Sequence, residues 1–354
     1  MNRIAIAAET EYTPHGRSGP WFDDQLLQGA LAARGHQVDI ISWEDTTLNP
    51  LCFDAIFVSS TWNSCVDPSA FTAWLDACEQ DNQRRLINDR VVLDAGFVKY
   101  RYWHLLERAL HSNPAIQMLG QLTPSRFYVD GAVVENGGVE PLSGRRLADV
   151  LAELDRDPQW AQASIVLKPV ISADGIDTFV YNRHGYAIPI DEKKRAQFVL
   201  GSAEDADATF VRLARDRGRH GVLLQPYMDG VEAGEYSLTI LGRSCTHAIQ
   251  KPKLFKGDGS SRRQVVALDQ LPGSMLPFAE KLVEWLDGHF GAGSVSRARA
   301  DLFNQHGTPV LCELECVAPN TNISVVAHHN ASLADSIVQE YANVIEQRTA
   351  VLAP

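Results

Sequence analysis

Four side chains late in the chain carry the strongest chemical signal: Arg299 and Asp301, then Glu313 and Glu315. Residues two apart in a strand share a face, so each pair points one way if both segments are extended. The intervening Asn304-Gln305-His306-Gly307 is polar and ends in Gly, which is turn chemistry. A turn centred near Gly307 sets Asp301 opposite Glu313 and Arg299 opposite Glu315. Like charges directly opposed destabilise a sheet, and Val310, Leu311 and Cys312 mark this strand as at least half buried. A divalent cation resolves the conflict. Hard carboxylate oxygens without a Cys-His cluster favour Mg²⁺, with Mn²⁺ as the alternative, and Mg²⁺ shares such ligands with substrate phosphates. The plain alternative is a solvated acidic hairpin in which Arg299 pairs one carboxylate.

Residues suited to a nucleotide lie upstream. Lys168 ends the apolar run Ser164-Ile165-Val166-Leu167, and Ser172-Ala173-Asp174-Gly175 follows as a polar turn. A Lys at a strand end reaches phosphate while turn N–H groups accept the remaining charge, although an isolated Lys is usually a surface charge. In Gln225-Pro226-Tyr227-Met228, Pro226 has no N–H, so nearby backbone groups are free to pair with an adenine edge; an inter-lobe linker reads the same way. Glu235 suits a pair of ribose hydroxyls or, equally, a strand edge. Lys251, Lys253, Lys256, Arg262 and Arg263 surround Gly257 and Gly259, a cationic loop able to close over phosphates.

The elements that must position these groups alternate. Ile4–Ala8, Gln37–Ser42 and Asp54–Ser59 read as strands, with Trp21–Arg34 and Pro68–Asp81 as helices, so the first lobe should hold a parallel sheet. Asp23 and Asp24 stand where such a sheet meets ligands, but helix N-terminal charge is the simpler reading. Leu86-Ile87-Asn88 gives a further strand and Lys99–Leu110 a helix opening a second lobe. Asp130-Gly131 and Asn136-Gly137-Gly138 mark turns, and Asp191–Arg219 should be mostly helical, most clearly at Glu204–Arg217. Glu235–Leu241 and His247–Lys251 read as paired strands around Gly242. His328-His329-Asn330 reads as a pocket lining or as a helix start.

At 354 residues the chain should form two or three lobes, divided at 1–97, 98–230 and 231–354. Its net charge of −12 argues against nucleic acid and anionic membranes as partners. The start lacks the apolar length of a signal peptide and no run reaches a membrane span. Six scattered cysteines, Cys52, Cys65, Cys78, Cys245, Cys312 and Cys316, fit reduced thiols in a cytoplasmic protein.

Taken in order, Lys99, Val166-Leu167-Lys168-Pro169, Gln225-Pro226-Tyr227, Gly234-Glu235-Tyr236-Ser237, Lys251, Arg299-Ala300-Asp301 and Glu313-Leu314-Glu315 resemble the ATP-grasp superfamily. The nearest likeness is to its glutathione-synthetase-type carboxylate–amine ligases, including the cycloserine-biosynthesis cyclo-ligase branch, and Asp54–Asn63, Phe71–Leu75 and Asn88 extend it into the first lobe. The resemblance implies an α/β architecture, an ATP-grasp fold with an N-terminal parallel-sheet domain and two α+β lobes enclosing ATP. It implies that Lys99, Lys168, Ser172 and Lys251 meet phosphates, that Gln225, Pro226, Tyr227 and Met228 meet adenine, and that Glu235 meets ribose. It also implies that Asp301, Glu313 and Glu315 hold two Mg²⁺ and that Arg299 stabilises an acyl phosphate, with Lys251, Arg262 and Arg263 assisting. Substrates would be amino acids or small peptides, and a homodimer is compatible with the reading. An intramolecular cyclo-ligase and a nucleotide-binding module without turnover are the alternatives. Two departures stand out: Ser59-Ser60-Thr61-Trp62-Asn63 replaces a pattern with Arg before the Trp and Asp after it, and Glu315 stands where many relatives have Asn.

Overall fold

Arg3–Ala8, Gln37–Ser42, Ala55–Val58 and Leu86–Ile87 pair in parallel in the computed structural model of the protein, which describes residues 1–9, 11–12, 17–18, 21–81, 83–129, 139–142, 144–161, 163–173, 175–183, 198–216, 218–251 and 263–352. Ala55–Val58 is buried throughout, as a strand covered on both faces must be. Helix Pro68–Cys78 covers one face of this first sheet, packing Phe71 and Leu75 on Ala5, Ile56 and Val58. Asp67 starts that helix by accepting the N–H of Ala70 at 3.0 Å, with Pro68 at the first helical position. Helix Phe22–Ala33 covers the other face together with the far-off helix Ala331–Leu352, whose Ile337, Tyr341 and Ile345 join Ile4, Ile6 and Phe57.

The middle sheet runs Val199–Leu200, Phe179–Tyr181, Ile165–Pro169, Val222–Pro226, Arg126–Val129, Glu140–Pro141. Alternation decides its faces: Ile165 and Leu167 pack under helices Leu147–Leu154 and Ala203–Arg215, which leaves Val166 and Lys168 on the opposite side. Described residues of the 191–219 stretch form the strand Val199–Leu200 and then the Ala203–Arg215 helix, capped by Ser202; the expected turns at 130–131 and 136–138 lie outside the described residues.

The last sheet runs Gln264–Val266, Ser244–Lys251, Glu235–Leu241, Arg297–Gln305, Thr308–Glu315, Gln121–Leu122. All its pairs are antiparallel except that of Gln121–Leu122. Ala298, Ala300 and Leu302 face the helices Met275–Phe290 and Lys99–Ser112, so Arg297, Arg299 and Asp301 face the other way. The Lys99–Ser112 helix, expected to open the second lobe, thus buries Tyr102, Trp103 and Leu106 in the core of the last sheet. Its apolar stripe is plain in the sequence, but a stripe does not name its partner. Among the described residues no helix is long and apolar enough to cross a membrane.

Candidate active site

Arg297–Gln305 and Thr308–Glu315 form the expected hairpin, turning through His306 and Gly307, the latter at φ +93°. Arg299 pairs with Glu315 and Asp301 with Glu313, and a register shift follows at Asp301/Leu302. The three carboxylates therefore share a face. Their burial is graded: Asp301 is 2% exposed, while Glu313 and Glu315 are half-buried, the Glu313 side chain keeping 28%.

Cations meet them. Arg299 donates to both oxygens of Asp301 at 2.9 and 2.8 Å, and Lys251 Nζ lies 3.2 Å from the same carboxylate and 2.6 Å from Glu235. The Ser237 hydroxyl adds a 2.5 Å bond to Asp301. Burial pushes the Asp301 carboxyl upward, but Arg299 and Lys251 outweigh it and hold the group well below the usual carboxylate range. Burial likewise works against the Lys251 ammonium, yet Asp301 and Glu235 keep its pKa raised. The pairing of Arg299 with one carboxylate is the half of the plain alternative that holds.

Glu313 and Glu315 differ. Lys99 Nζ lies 3.2 Å from Glu313 and donates to the Ser172 carbonyl and hydroxyl at 2.9 and 3.1 Å. Burial raises the Glu313 carboxyl, while Lys99 and Lys168 bring it below its ordinary value. Glu315 is raised, by burial first and then by the negative charge of Glu313; its Oε1 accepts the N–H groups of Val317 and Ala318 at 2.8 and 3.2 Å. Among the described residues no three carboxylate, His or Cys groups already converge as a metal cluster. The donor set nevertheless fits Mg²⁺: hard oxygens only, with a Glu313–Glu315 repulsion that a divalent cation relieves.

A cavity of about 430 Å³ opens beside this row, between the middle and last sheets. Lys168, Ser172, Glu235, Lys251, Arg299, Asp301 and Glu313 line its polar side. Gln225, Pro226, Tyr227 and Met228 form another wall, with Val166, Val180 and Phe303 supplying apolar surface. Gln225 Nε2 donates to the Ser125 hydroxyl at 2.9 Å, which fixes the side chain. Glu235 opens a strand paired on both sides from Tyr236 onward and is itself buried opposite Lys251, so it is not an exposed edge charge. Gly234, at φ +107°, lets the chain enter that strand where a Cβ would stand 3.0 Å from the Lys251 carbonyl oxygen.

Arg263 reaches the cavity and donates to Asn322, while Arg262 and the rest of the cationic loop, 252–262, lie outside the described residues. Lys99 and Glu315 line a second, smaller cavity with Thr61, Trp62, Cys65 and Phe97, and Glu313 and Ser172 border both.

Other expected residues take structural places. Asp23 accepts from the Thr321 hydroxyl and from the N–H groups of Ile323 and Ser324, and Asp24 accepts from the hydroxyls of Ser59 and Ser60. The side-chain oxygen of Asn63 accepts from Trp43 at 2.7 Å. His328 and His329 end the Ile323–His329 helix exposed, while Asn330 precedes the Ala331–Leu352 helix and accepts the Leu333 N–H at 3.0 Å, so the helix-start reading fits Asn330 alone. The cysteines are all free. No sequence signal points to Ser125 or Phe303; Ser237 stands in the Gly234-Glu235-Tyr236-Ser237 motif without an assigned role, two residues from Glu235 and so on its face.

Residues 4–88 match the family model described as the D-cycloserine synthetase DcsG N-terminal domain. Among solved structures, D-cycloserine synthetase DcsG superposes with a TM-score of 0.71 at 21% identity, covering 98% of this chain and 99% of that one. The RimK-domain ATP-grasp protein of Sphaerobacter thermophilus gives 0.54 at 15%, covering 97% and 98%. The D-alanine–D-alanine ligase of Bacillus anthracis gives 0.57 at 11%, covering 99% and 98%. The chain has the ATP-grasp fold. No curated protein sequence matches it. Within the ATP-grasp fold, the cavity between the middle and last sheets and the carboxylate hairpin are the features on which function must be argued.

Proposed function

We propose that the protein is an ATP-dependent carboxylate–amine ligase acting on an amino acid or small peptide. The observation that carries the reading is the row Asp301, Glu313, Glu315 beside a cavity of about 430 Å³ whose polar side also holds Lys168, Lys251 and Arg299. Gln225–Met228 would take the adenine, Glu235 the ribose, and Lys168, Lys251 and the Ser172 turn the phosphates. Lys99, now on Glu313, stands within reach of the same charge. Asp301, Glu313 and Glu315 would hold two Mg²⁺, or Mn²⁺ in its place; bound there, the metal neutralises phosphate charge and aligns the transferring group.

The substrate carboxylate oxygen attacks the γ-phosphorus and ADP leaves, giving an acyl phosphate. An amine then attacks the acyl carbon, inorganic phosphate departs, and an amide remains. Arg299 offers fixed positive charge to that transfer, and the buried setting strengthens it. Positioning supplies most of the rest, so no protein nucleophile is needed. The division into units at 1–97, 98–230 and 231–354 belongs to the same proposal, with the Lys99–Ser112 helix leaning on the third.

A second reading, intramolecular ring closure, is favoured by the match of residues 4–88 to a cycloserine synthetase domain. ADP release with one amino-acid derivative and no added amine would support it; a strict requirement for a separate amine would rule it out. For the ligase reading itself, Glu313→Gln should abolish ATP-dependent phosphate release while the circular-dichroism spectrum stays native. Turnover near the wild-type rate in that variant would remove the assignment.

A further inference from the structure

The carboxylate hairpin is stapled at its open end by a side chain from a different sheet. Its ladder runs as far as Arg299 opposite Glu315 and stops. Just beyond that pair, the amide of Asn88, next to the first sheet's last strand, lies between the two departing chains. Its Nδ2 donates to the carbonyl oxygens of Arg297 and Cys316, both at 2.7 Å. Its Oδ1 accepts the N–H groups of Ser296 at 2.6 Å and Arg297 at 2.8 Å. A side-chain amide has two N–H donors and one oxygen with two lone pairs, so every hydrogen-bonding capacity of Asn88 is spent on this junction. It is 3% exposed, where each of those bonds would be costly to leave unmade.

The segment so held governs a metal-row carboxylate. Glu315 Oε1 accepts from Val317 and Ala318 N–H, so its direction follows the path of residues 316–318. A second first-lobe side chain, Trp62, grips the same segment, its Nε1–H donating to the Ala318 carbonyl at 2.8 Å. We infer that Asn88 is a positioning residue for the reaction: from the first lobe, it sets the separation and aim of Arg299 and Glu315 without touching substrate. The inference rests on the ligase reading, because only a metal-binding role makes the aim of Glu315 matter.

Asn88→Asp keeps the shape but turns an oxygen toward two carbonyl oxygens. The test is calorimetric titration of ADP into the wild type and the variant over a range of Mg²⁺ concentrations, with thermal melting and amide hydrogen exchange alongside. In the wild type Mg²⁺ should strengthen ADP binding. In Asn88→Asp the half-saturating Mg²⁺ should rise roughly 10- to 100-fold, the usual scale for losing a group that orients metal ligands, while metal-free ADP affinity stays near wild type. Exchange should quicken at the Val317 and Ala318 amides, which follow the released Cys316 carbonyl, and stay near wild type at the Ser296 and Arg297 amides, whose acceptor oxygen the aspartate keeps. A merely structural residue would lower the melting temperature and leave the Mg²⁺ dependence of the folded fraction alone; that result overturns the inference. A wild type indifferent to Mg²⁺ overturns the ligase reading and this inference with it. If Asn88→Asp does not accumulate folded, Trp62→Phe, which keeps an aromatic ring but loses the donor to Ala318, decides in the same way: a severalfold rise supports the inference and an unchanged dependence overturns it.

Discussion

Arg297 and Arg299 project from one face of one strand, two residues apart, into polar clusters of different construction. Arg299 faces the large cavity and is matched charge for charge, fork to carboxylate, with Asp301, beside Lys251. Arg297 faces the first lobe, donates to the Val58 carbonyl at 2.6 Å and lies 4.3 Å over the Phe57 ring. The carboxylate behind it, Asp24, is held by serine hydroxyls rather than by a cation's hydrogen bonds. Burial consequently lifts Asp24 to about 6, with Ser59 and Ser60 pulling the other way, whereas Asp301 is driven down. The front cluster is made of charges that can trade partners, a carboxylate for a metal and a cation for a phosphate, with the total conserved. In the rear cluster the carboxylate is held by hydroxyls and the cation by a backbone carbonyl, so neither charge has a hydrogen-bonded counter-charge to trade.

Removing one carboxylate from each cluster should sharpen the contrast most. Asp301→Asn takes the paired carboxylate from Arg299, leaves Lys251 with Glu235 alone, and should destabilise the fold by roughly 3–5 kcal/mol in urea denaturation, besides ending turnover. Asp24→Asn should do the reverse at pH 8. With its folded value near 6 and an unfolded value near 3.8, the Asp24 contribution is fully present below the lower value and lost as pH rises through about 6. At pH 8 the wild type carries the cost of a buried charge, so Asp24→Asn should gain about 1–3 kcal/mol there and little at pH 4. Equal losses from both substitutions would break the comparison.

His247 gives the rear cluster its opposing pH term. Its Nε2–H donates to the Thr321 carbonyl at 2.6 Å, and burial lowers its pKa to about 4, only partly countered by that carbonyl. A neutral buried imidazole stabilises fully above the unfolded value near 6.5 and loses that stability as pH falls through about 4. In the wild type the rise from Asp24 and the fall from His247 run against each other over this window. In Asp24→Asn that opposition is weakened, although Asp23, also raised by burial, still contributes to it, so unfolding curves should lose stability between pH 6 and 4 more steeply than the wild type, by up to about 1.4 kcal/mol per pH unit. A profile no steeper than that of the wild type would mean that Asp24 does not oppose the imidazole.

Much of the front cluster was legible in the chain. Alternation and a Gly turn were enough to set Asp301 opposite Glu313, because a hairpin is a local object with a fixed period. The limits of Gln37–Ser42 and Glu235–Leu241 followed from the same period. What could not be read is contact across distance. Nothing local ties Asn88 to Cys316, Ser125 to Gln225, or Asp23 to the amide of Ile323, a separation of 300 residues. Nor does composition tell whether Arg299 meets phosphate or Asp301 when no ligand is bound, since that depends on which counter-charge is within reach.

The smallest expected effect tests how tightly the front cluster is tuned. Ser237→Ala deletes one hydroxyl from Asp301 and leaves both cations in place. It should cost about 1 kcal/mol of stability and raise the KM for Mg·ATP severalfold, read from steady-state phosphate release. A loss as large as that of Asp301→Asn would mean the hydroxyl, rather than the charges, governs the carboxylate.

The return of Ala331–Leu352 to the first sheet ties the order of synthesis to the order of folding. Arg34 reaches Asn343 and Glu346 across 309 and 312 residues, and Arg348 grips Asp89. On a ribosome the strands of the first sheet emerge while part of their apolar cover is still untranslated. They must stay unfinished, or borrow shelter from a chaperone, until residues 331–352 have followed.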